Sequence, residues 1–105
     1  MKRNELYKNS DLPYSFMYKI RNAFIGETCP ICHRKMGVTE NNDGIWLKTP
    51  MPTIQHNLPI SLGGKHELSN ISVVCRSCNT SIQDIPTGKL NNDLVIKKWS
   101  EINGR

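Results

Sequence analysis

The stretch Asn70-Ile71-Ser72-Val73-Val74-Cys75-Arg76-Ser77-Cys78-Asn79 decides how this chain folds. Its first half is rich in β-branched residues and reads as a strand, because such side chains pack well on a pleated surface. The strand delivers the chain to Cys75, and Cys75-x-x-Cys78 has the spacing at which one turn presents two sulfurs to the same ion. A helix is predicted to begin near Cys78 or Asn79 and to stop by Ile85, since Pro86 disfavours helical geometry in the residue before it. Strand, thiol pair and helix start therefore follow one another directly, and a second pair of ligands would close a metal site.

Upstream, Cys29-Pro30-Ile31-Cys32 offers that pair in another tight turn. Two such pairs fit a tetrahedral ion held by four thiolates, which leaves no open coordination position and makes the predicted zinc structural. The compartment points the same way. Met1-Lys2-Arg3-Asn4-Glu5-Leu6-Tyr7 is basic but runs into polar residues rather than a signal-peptide core, and no window approaches a membrane span. The expectation is a soluble cytoplasmic protein whose reduced thiols ligate metal instead of crosslinking. His33 is then a bystander, because four thiolates already complete the site. A redox role is disfavoured by the doubled motif and by the lack of a thioredoxin-like βαβ pattern.

A staple is needed, because 105 residues with a hydrophobic fraction of 37% cannot build a large self-sufficient core. Fourteen Lys and Arg against nine Asp and Glu give a net charge of +5, which suits a polyanionic partner, although the basic residues are scattered. No repeat or low-complexity tract divides the chain. A single domain over 1–105 is expected, with an N-terminal helical segment over 1–26, zinc knuckles and core over 27–85, and a C-terminal helix over 86–105.

Within that plan, Ser10 or Asp11 caps a first helix with Pro13 in its first turn, Phe16, Ile20 and Phe24 form its core face, and Gly26 ends it. Asn41-Asn42-Asp43-Gly44 before Ile45-Trp46-Leu47 suggests a short hairpin. Thr53 to Leu58 reads as a brief strand with Pro59 at its end, followed by a loop at Ser61-Leu62-Gly63-Gly64. Asn91-Asn92-Asp93 is predicted to cap a last helix, in which Leu94, Val95, Lys98, Trp99 and Ile102 recur at helical spacing and which Gly104 terminates.

Between the cysteine pairs, the segment from Gln55-His56-Asn57-Leu58-Pro59 through Ser61-Leu62-Gly63-Gly64-Lys65-His66 to Asn70 and Asn79 resembles the HNH endonuclease signature. A first histidine precedes a proline-containing loop with Gly-Gly, a middle asparagine opens the next strand, and the third motif residue follows a Cys-x-x-Cys. Cys29 and Cys32 extend the likeness to the zinc-stabilised branch of that family. The resemblance implies an α+β fold, a small zinc-stabilised ββα-metal domain with flanking N- and C-terminal helices. It implies metal-dependent hydrolysis of DNA, in which His56 is the general base, Asn70 orients it through hydrogen bonds across the loop, and Asn79 binds a catalytic Mg²⁺ or Mn²⁺. An amide oxygen suits such a hard cation. On residue type alone Asn70 serves equally as a loop cap and Asn79 as a helix cap.

Gln55 departs from the family pattern, which usually has an acidic residue there. Glutamine supplies a ligand oxygen without the charge, so Asp84 is a candidate to make up the difference, while Gln83 is expected to be solvated. Lys65, His66 and Arg76 are the expected DNA-backbone contacts, although His66 also reads as a plain surface histidine and Arg76 as an exposed turn residue. The implied partner is double-stranded DNA in a bacterial or phage-infected cytoplasm, cut by nicking or by a homodimer. Two rivals stand beside the enzyme: a catalytically weakened zinc-containing nucleic-acid-binding module, and a zinc-bearing assembly protein whose basic charge is incidental.

Overall fold

Every residue of Ile71-Ser72-Val73-Val74-Cys75 is buried, as a β-branched run is when neighbouring elements cover it. The computed structural model describes residues 12–37 and 50–104. There the run forms strand β2 (Ile71–Cys75), antiparallel to β1 (Pro52–His56), with Pro52 opposite Cys75 and His56 opposite Ile71. Helix α1 (Ser15–Ala23) precedes the strands, α2 (Arg76–Ile82) leaves directly from β2, and α3 (Asn92–Asn103) follows. Short 3₁₀ turns at Ile60–Leu62 and Leu68–Asn70 lie in the connection between the strands. Among the described residues the architecture is α+β, three helices on a two-stranded sheet. Helix α1 packs on β1 and α3, α3 on β2, and α2 on both strands.

The core sits where the helical period places it. Phe16, Ile20 and Phe24 are all fully buried on one face of α1, and Val95 and Trp99 form the buried side of α3. The Phe16 ring meets Trp99 edge to face at 4.8 Å, an arrangement worth about 0.5–1.5 kcal/mol beyond the area buried. Gly26 does more than end α1. Its φ of 93° turns the chain, and its N–H donates to Met36 O at 2.7 Å while Met36 N donates to Glu27 O at 2.8 Å. With Thr28 bridged to Lys35, the Cys29-x-x-Cys32 turn is carried at the tip of a small ladder.

Several sequence expectations shift. Helix α2 starts at Arg76, not at Cys78 or Asn79, because Cys75 is the extended cap residue and the second cysteine turn is itself the first turn of the helix. Strand β1 ends at His56: Asn57 N still donates to Asn70 O at 2.9 Å, but Leu58 N turns to the Asn70 side chain at 2.8 Å and the backbone ladder stops. Asn70 belongs to a 3₁₀ turn rather than opening β2. The expected Ser10 or Asp11 cap and the hairpin near Asn41 to Leu47 lie outside the described residues.

Asn91 precedes α3 as expected but makes no side-chain capping bond. Its amide instead reads the outer edge of β2: Oδ1 accepts from Val73 N at 2.9 Å and Nδ2 donates to Val73 O at 2.7 Å. Asn92 Nδ2 donates to Leu68 O at 2.8 Å and Ile71 O at 2.7 Å. Two consecutive amides thus supply the ladder partner that the edge of a two-stranded sheet lacks, and dock α3 in the same step. Replacing Asn91 with Ala should lower the unfolding free energy of the metal-loaded protein by about 1–3 kcal/mol, since a buried strand loses both partners at Val73. Urea unfolding reads this directly, and a loss below about 0.5 kcal/mol would show that water serves that edge equally well.

Candidate functional site

Four sulfurs converge where β2 meets α2. Cys75 ends the strand, Cys78 lies in the first turn of α2, and the Cys29-x-x-Cys32 turn reaches them from the far side of the sequence. Their Sγ atoms all lie within 4.8 Å of one another, and Cys32 Sγ is 3.6 Å from Cys75 Sγ. A tetrahedral Zn–S₄ unit with bonds of about 2.3 Å has S···S edges of roughly 3.8 Å, so the cluster has the dimensions of such a site. None of the four is disulfide-bonded. The turn is shaped by Cys29 N donating to Arg34 O at 2.8 Å and His33 N donating to Cys29 O at 2.9 Å, with His33 itself at a φ of 64°. His33 is exposed and lies outside the cluster, as the sequence suggests.

Arg34 joins the cluster without any signal in the sequence. Its Nε is 3.5 Å from Cys32 Sγ, and its Nη2 is 3.9 Å from Cys75 Sγ and 3.0 Å from Ser77 Oγ. Hydrogen bonding from Arg34 pulls the Cys32 thiol down to about 6, whereas burial pushes the Cys78 thiol up. Sulfurs crowded in this way cannot all be thiolates without a cation among them. Arg34 lies beside Lys35 in the chain, so residue type alone does not single it out.

Above the end of β1 lies a cleft of about 210 Å³, whose lining includes Gln55, His56, Asn79, Gln83 and Asp84. Asn79 stands in the middle of α2, not at its cap, and its Nδ2 donates to Ile54 O at 2.9 Å and Thr53 Oγ1 at 3.1 Å. Gln55 is buried, and its Nε2 donates to His56 O at 3.2 Å. In both amides the nitrogen is bound to the strand while the carbonyl oxygen has no hydrogen-bond partner among the described residues. Both residues line the cleft, and amide oxygens are donors that a hard divalent cation accepts. Gln83 and Asp84 are both exposed at the same cleft, which agrees with a solvated Gln83 and brings a carboxylate to the site.

The loop that carries His56 away from the strand is closed by Asn70. Its Oδ1 accepts from Leu58 N at 2.8 Å, and its Nδ2 donates to Leu58 O at 3.0 Å and Lys65 O at 2.9 Å. The loop is drawn so tight that a Cβ on Gly64 would overlap the Leu58 carbonyl. Asn70 therefore braces the backbone on both sides of the loop, and none of these three bonds reaches the imidazole of His56. That ring meets another side chain: His56 Nε2 is 3.0 Å from His66 Nδ1. Burial first, and the neighbouring His66 second, push His56 down to about 4, so its ring is neutral at pH 7.

The three expected backbone contacts fare differently. His66 is neither a surface histidine nor placed to touch a phosphate. It is 3% exposed, enclosed by the edge of Phe16 at 6.1 Å and by His56, because the apolar face of α1 roofs the loop. Arg76 is exposed, but it lines a separate cleft of about 400 Å³ with Tyr18 and Arg21 rather than the one that holds His56. Lys65 is exposed and outside the lining of the His56 cleft.

Residues 47–95, which carry this geometry, match the model of the HNH endonuclease family. The match takes in both strands, α2, His56, Asn70, Asn79 and the second cysteine pair, while Cys29 and Cys32 lie before it. No curated protein and no solved structure matches the chain. No helix among the described residues is long and apolar enough to cross a membrane. Over residues 47–95, just under half of its length, the chain is similar to the HNH endonuclease family, whose class of substrate is nucleic acid.

Proposed function

We propose that this chain is a metal-dependent endonuclease that hydrolyses phosphodiester bonds of double-stranded DNA. The observation that supports it most is the cleft lined together by His56, Gln55 and Asn79, the two amides having carbonyl oxygens without hydrogen-bond partners among the described residues. In this reading His56, neutral at pH 7, takes a proton from a water that attacks the phosphorus, and the bond to the leaving oxygen breaks. Gln55 and Asn79 hold Mg²⁺ or Mn²⁺. The ion, when bound, stabilises negative charge on the phosphate and the leaving oxygen. Asn70 keeps the loop, and with it His56, at a fixed distance from Asn79. Asp84 contributes at the cleft the charge that Gln55 lacks.

The four cysteines take a structural Zn²⁺ with no role in the chemistry, since four thiolates leave no position for water. Arg76, together with Arg21 and Tyr18, grips the backbone away from the cut, and Lys65 extends that grip. A site that makes one incision per chain acts by nicking or as a homodimer. Four free thiols suit the reducing cytoplasm of a bacterial or phage-infected cell. Gln55 favours one second reading, a zinc-containing module that binds nucleic acid but cuts it weakly.

Supercoiled plasmid incubated with Mg²⁺ or Mn²⁺ should be nicked, with the rate falling about 10²- to 10⁴-fold for His56→Ala and vanishing with EDTA. Equal cleavage by the two proteins would sink the enzyme reading, and salt-dependent binding without cleavage under either ion would favour the binding module. Asp84→Asn should raise the Mn²⁺ concentration needed for half-maximal nicking by about tenfold, a modest figure because Asp84 is exposed and screened. An unchanged metal dependence would remove Asp84 from the site. Metal analysis should find zinc bound in the purified chain. Cys78→Ser, or zinc removal with a strong chelator, should abolish the far-UV helix signal, because a structural zinc contributes about 10–16 kcal/mol in small domains whose total stability is only about 5–15 kcal/mol. A chelated protein with an unchanged spectrum would show that the cluster is not the staple.

A further inference from the structure

His66 is buried against the proposed base, and neither phosphate contact nor metal binding accounts for its burial. It sits 3% exposed at the far end of the loop from His56. Its Nδ1 is 3.0 Å from His56 Nε2, the two ring centroids are 5.2 Å apart with planes at 63°, and its other flank lies edge-on to Phe16. Only one of the two facing nitrogens can carry the shared proton, and its choice decides what the other nitrogen of His56 can do. If His66 Nδ1 donates, His56 holds its own proton on Nδ1 and has no lone pair for a water in the cleft. If His56 Nε2 donates, Nδ1 is left bare and can accept a proton.

We propose that His66 is a positioning residue: its Nδ1 accepts the Nε2–H of His56, fixing that ring in the tautomer whose Nδ1 lone pair is available to the attacking water. The inference rests on the nuclease reading for its functional meaning, but the tautomer is a property of the two rings themselves. The arrangement has the logic of a base oriented by a third group, with a neutral imidazole in the place often taken by a carboxylate. When His56 takes the proton of the water on Nδ1, it becomes an imidazolium. Its Nε2–H remains donated to His66, so no second proton moves. Phe16 matters indirectly, because the α1 face that buries His66 also prevents it from turning away.

The test combines a spectroscopic and a kinetic readout on the full, zinc-loaded chain. Long-range ¹H–¹⁵N correlation spectra should show His56 of the wild type protonated at Nε2 and unprotonated at Nδ1. In His66→Phe, which keeps a ring against Phe16 but offers no acceptor, His56 should average between tautomers. Its kcat for plasmid nicking should fall about 10- to 100-fold while KM changes less than about twofold. His66→Asn, whose Oδ1 can accept the same proton, should recover most of the kcat. A wild-type His56 protonated on Nδ1 would overturn the proposal, and so would a His66→Phe protein with unchanged tautomer and kcat. Should His66→Phe fail to fold, the wild-type spectrum and the kcat of His66→Asn decide alone. Wild type and His56→Ala that nick equally remove the nuclease reading instead, and the tautomer seen in the spectrum still decides whether the histidine pair is arranged as proposed.

Discussion

The convergence of four sulfurs at the junction of β2 and α2 is the constraint on which the rest depends. The two strands alone are a five-residue pair, and a two-stranded ribbon of that size is marginal in water. Tying Cys75 and Cys78 to the Cys29-x-x-Cys32 turn fixes the angle at which α2 leaves the strand. That angle sets the distance between Asn79 on the helix and His56 at the end of the strand. A small rotation at Cys75 would be enough to separate residues that act on one phosphate in the proposed mechanism. Arg34 reinforces the junction, since one guanidinium touches Cys32, Cys75 and Ser77 together.

Primary amides perform most of the remaining positioning, and they do so by using donor and acceptor at once. Asn70 closes the loop with three bonds, Asn91 completes the edge of β2 with two, and Asn92 ties α3 to the turn before that strand. Asn70 and Asn91 have both ends of the amide engaged. In Gln55 and Asn79, as in Asn92, the nitrogens are bound and the oxygens are left over, but only Gln55 and Asn79 line the cleft that holds His56. In the proposed mechanism those two amides, which line the cleft, are the ones that receive a ligand.

What is legible in the sequence follows from the reach of each interaction. The core face of α1, the β-branched run of β2 and the period of α3 are local patterns, and each element appears where its pattern lies. The doubled Cys-x-x-Cys is a spacing rule and predicts all four members of the metal cluster. The start of α2 falls earlier than its pattern suggests, because a cysteine pair reads as a turn that precedes a helix, whereas here the two coincide. The burial of His66 cannot be read from its neighbours Lys65 and Glu67, which are both exposed. It depends on Phe16, a residue from another element that the chain brings over the loop only after folding. The roles of Arg34 and of Asn91 at the sheet edge are hidden for the same reason, since their partners are distant in sequence.

In the proposed mechanism a neutral base and neutral ligands belong together. At an effective dielectric near 20, one charge at about 4 Å is worth roughly 4 kcal/mol before desolvation, so a carboxylate at position 55 would draw a cation strongly whether or not substrate were present. With Gln55 there, the carboxylate lining the cleft is that of Asp84, which is exposed and screened. In the proposed mechanism much of the attraction for the ion must then come from the substrate phosphate. A neutral His56–His66 pair suits that arrangement, because a cationic imidazolium beside the site would repel the metal before the phosphate arrived. Burial of both rings, which lowers His56 and His66 alike, favours the neutral pair, and in the proposed mechanism charge assembles only when DNA enters.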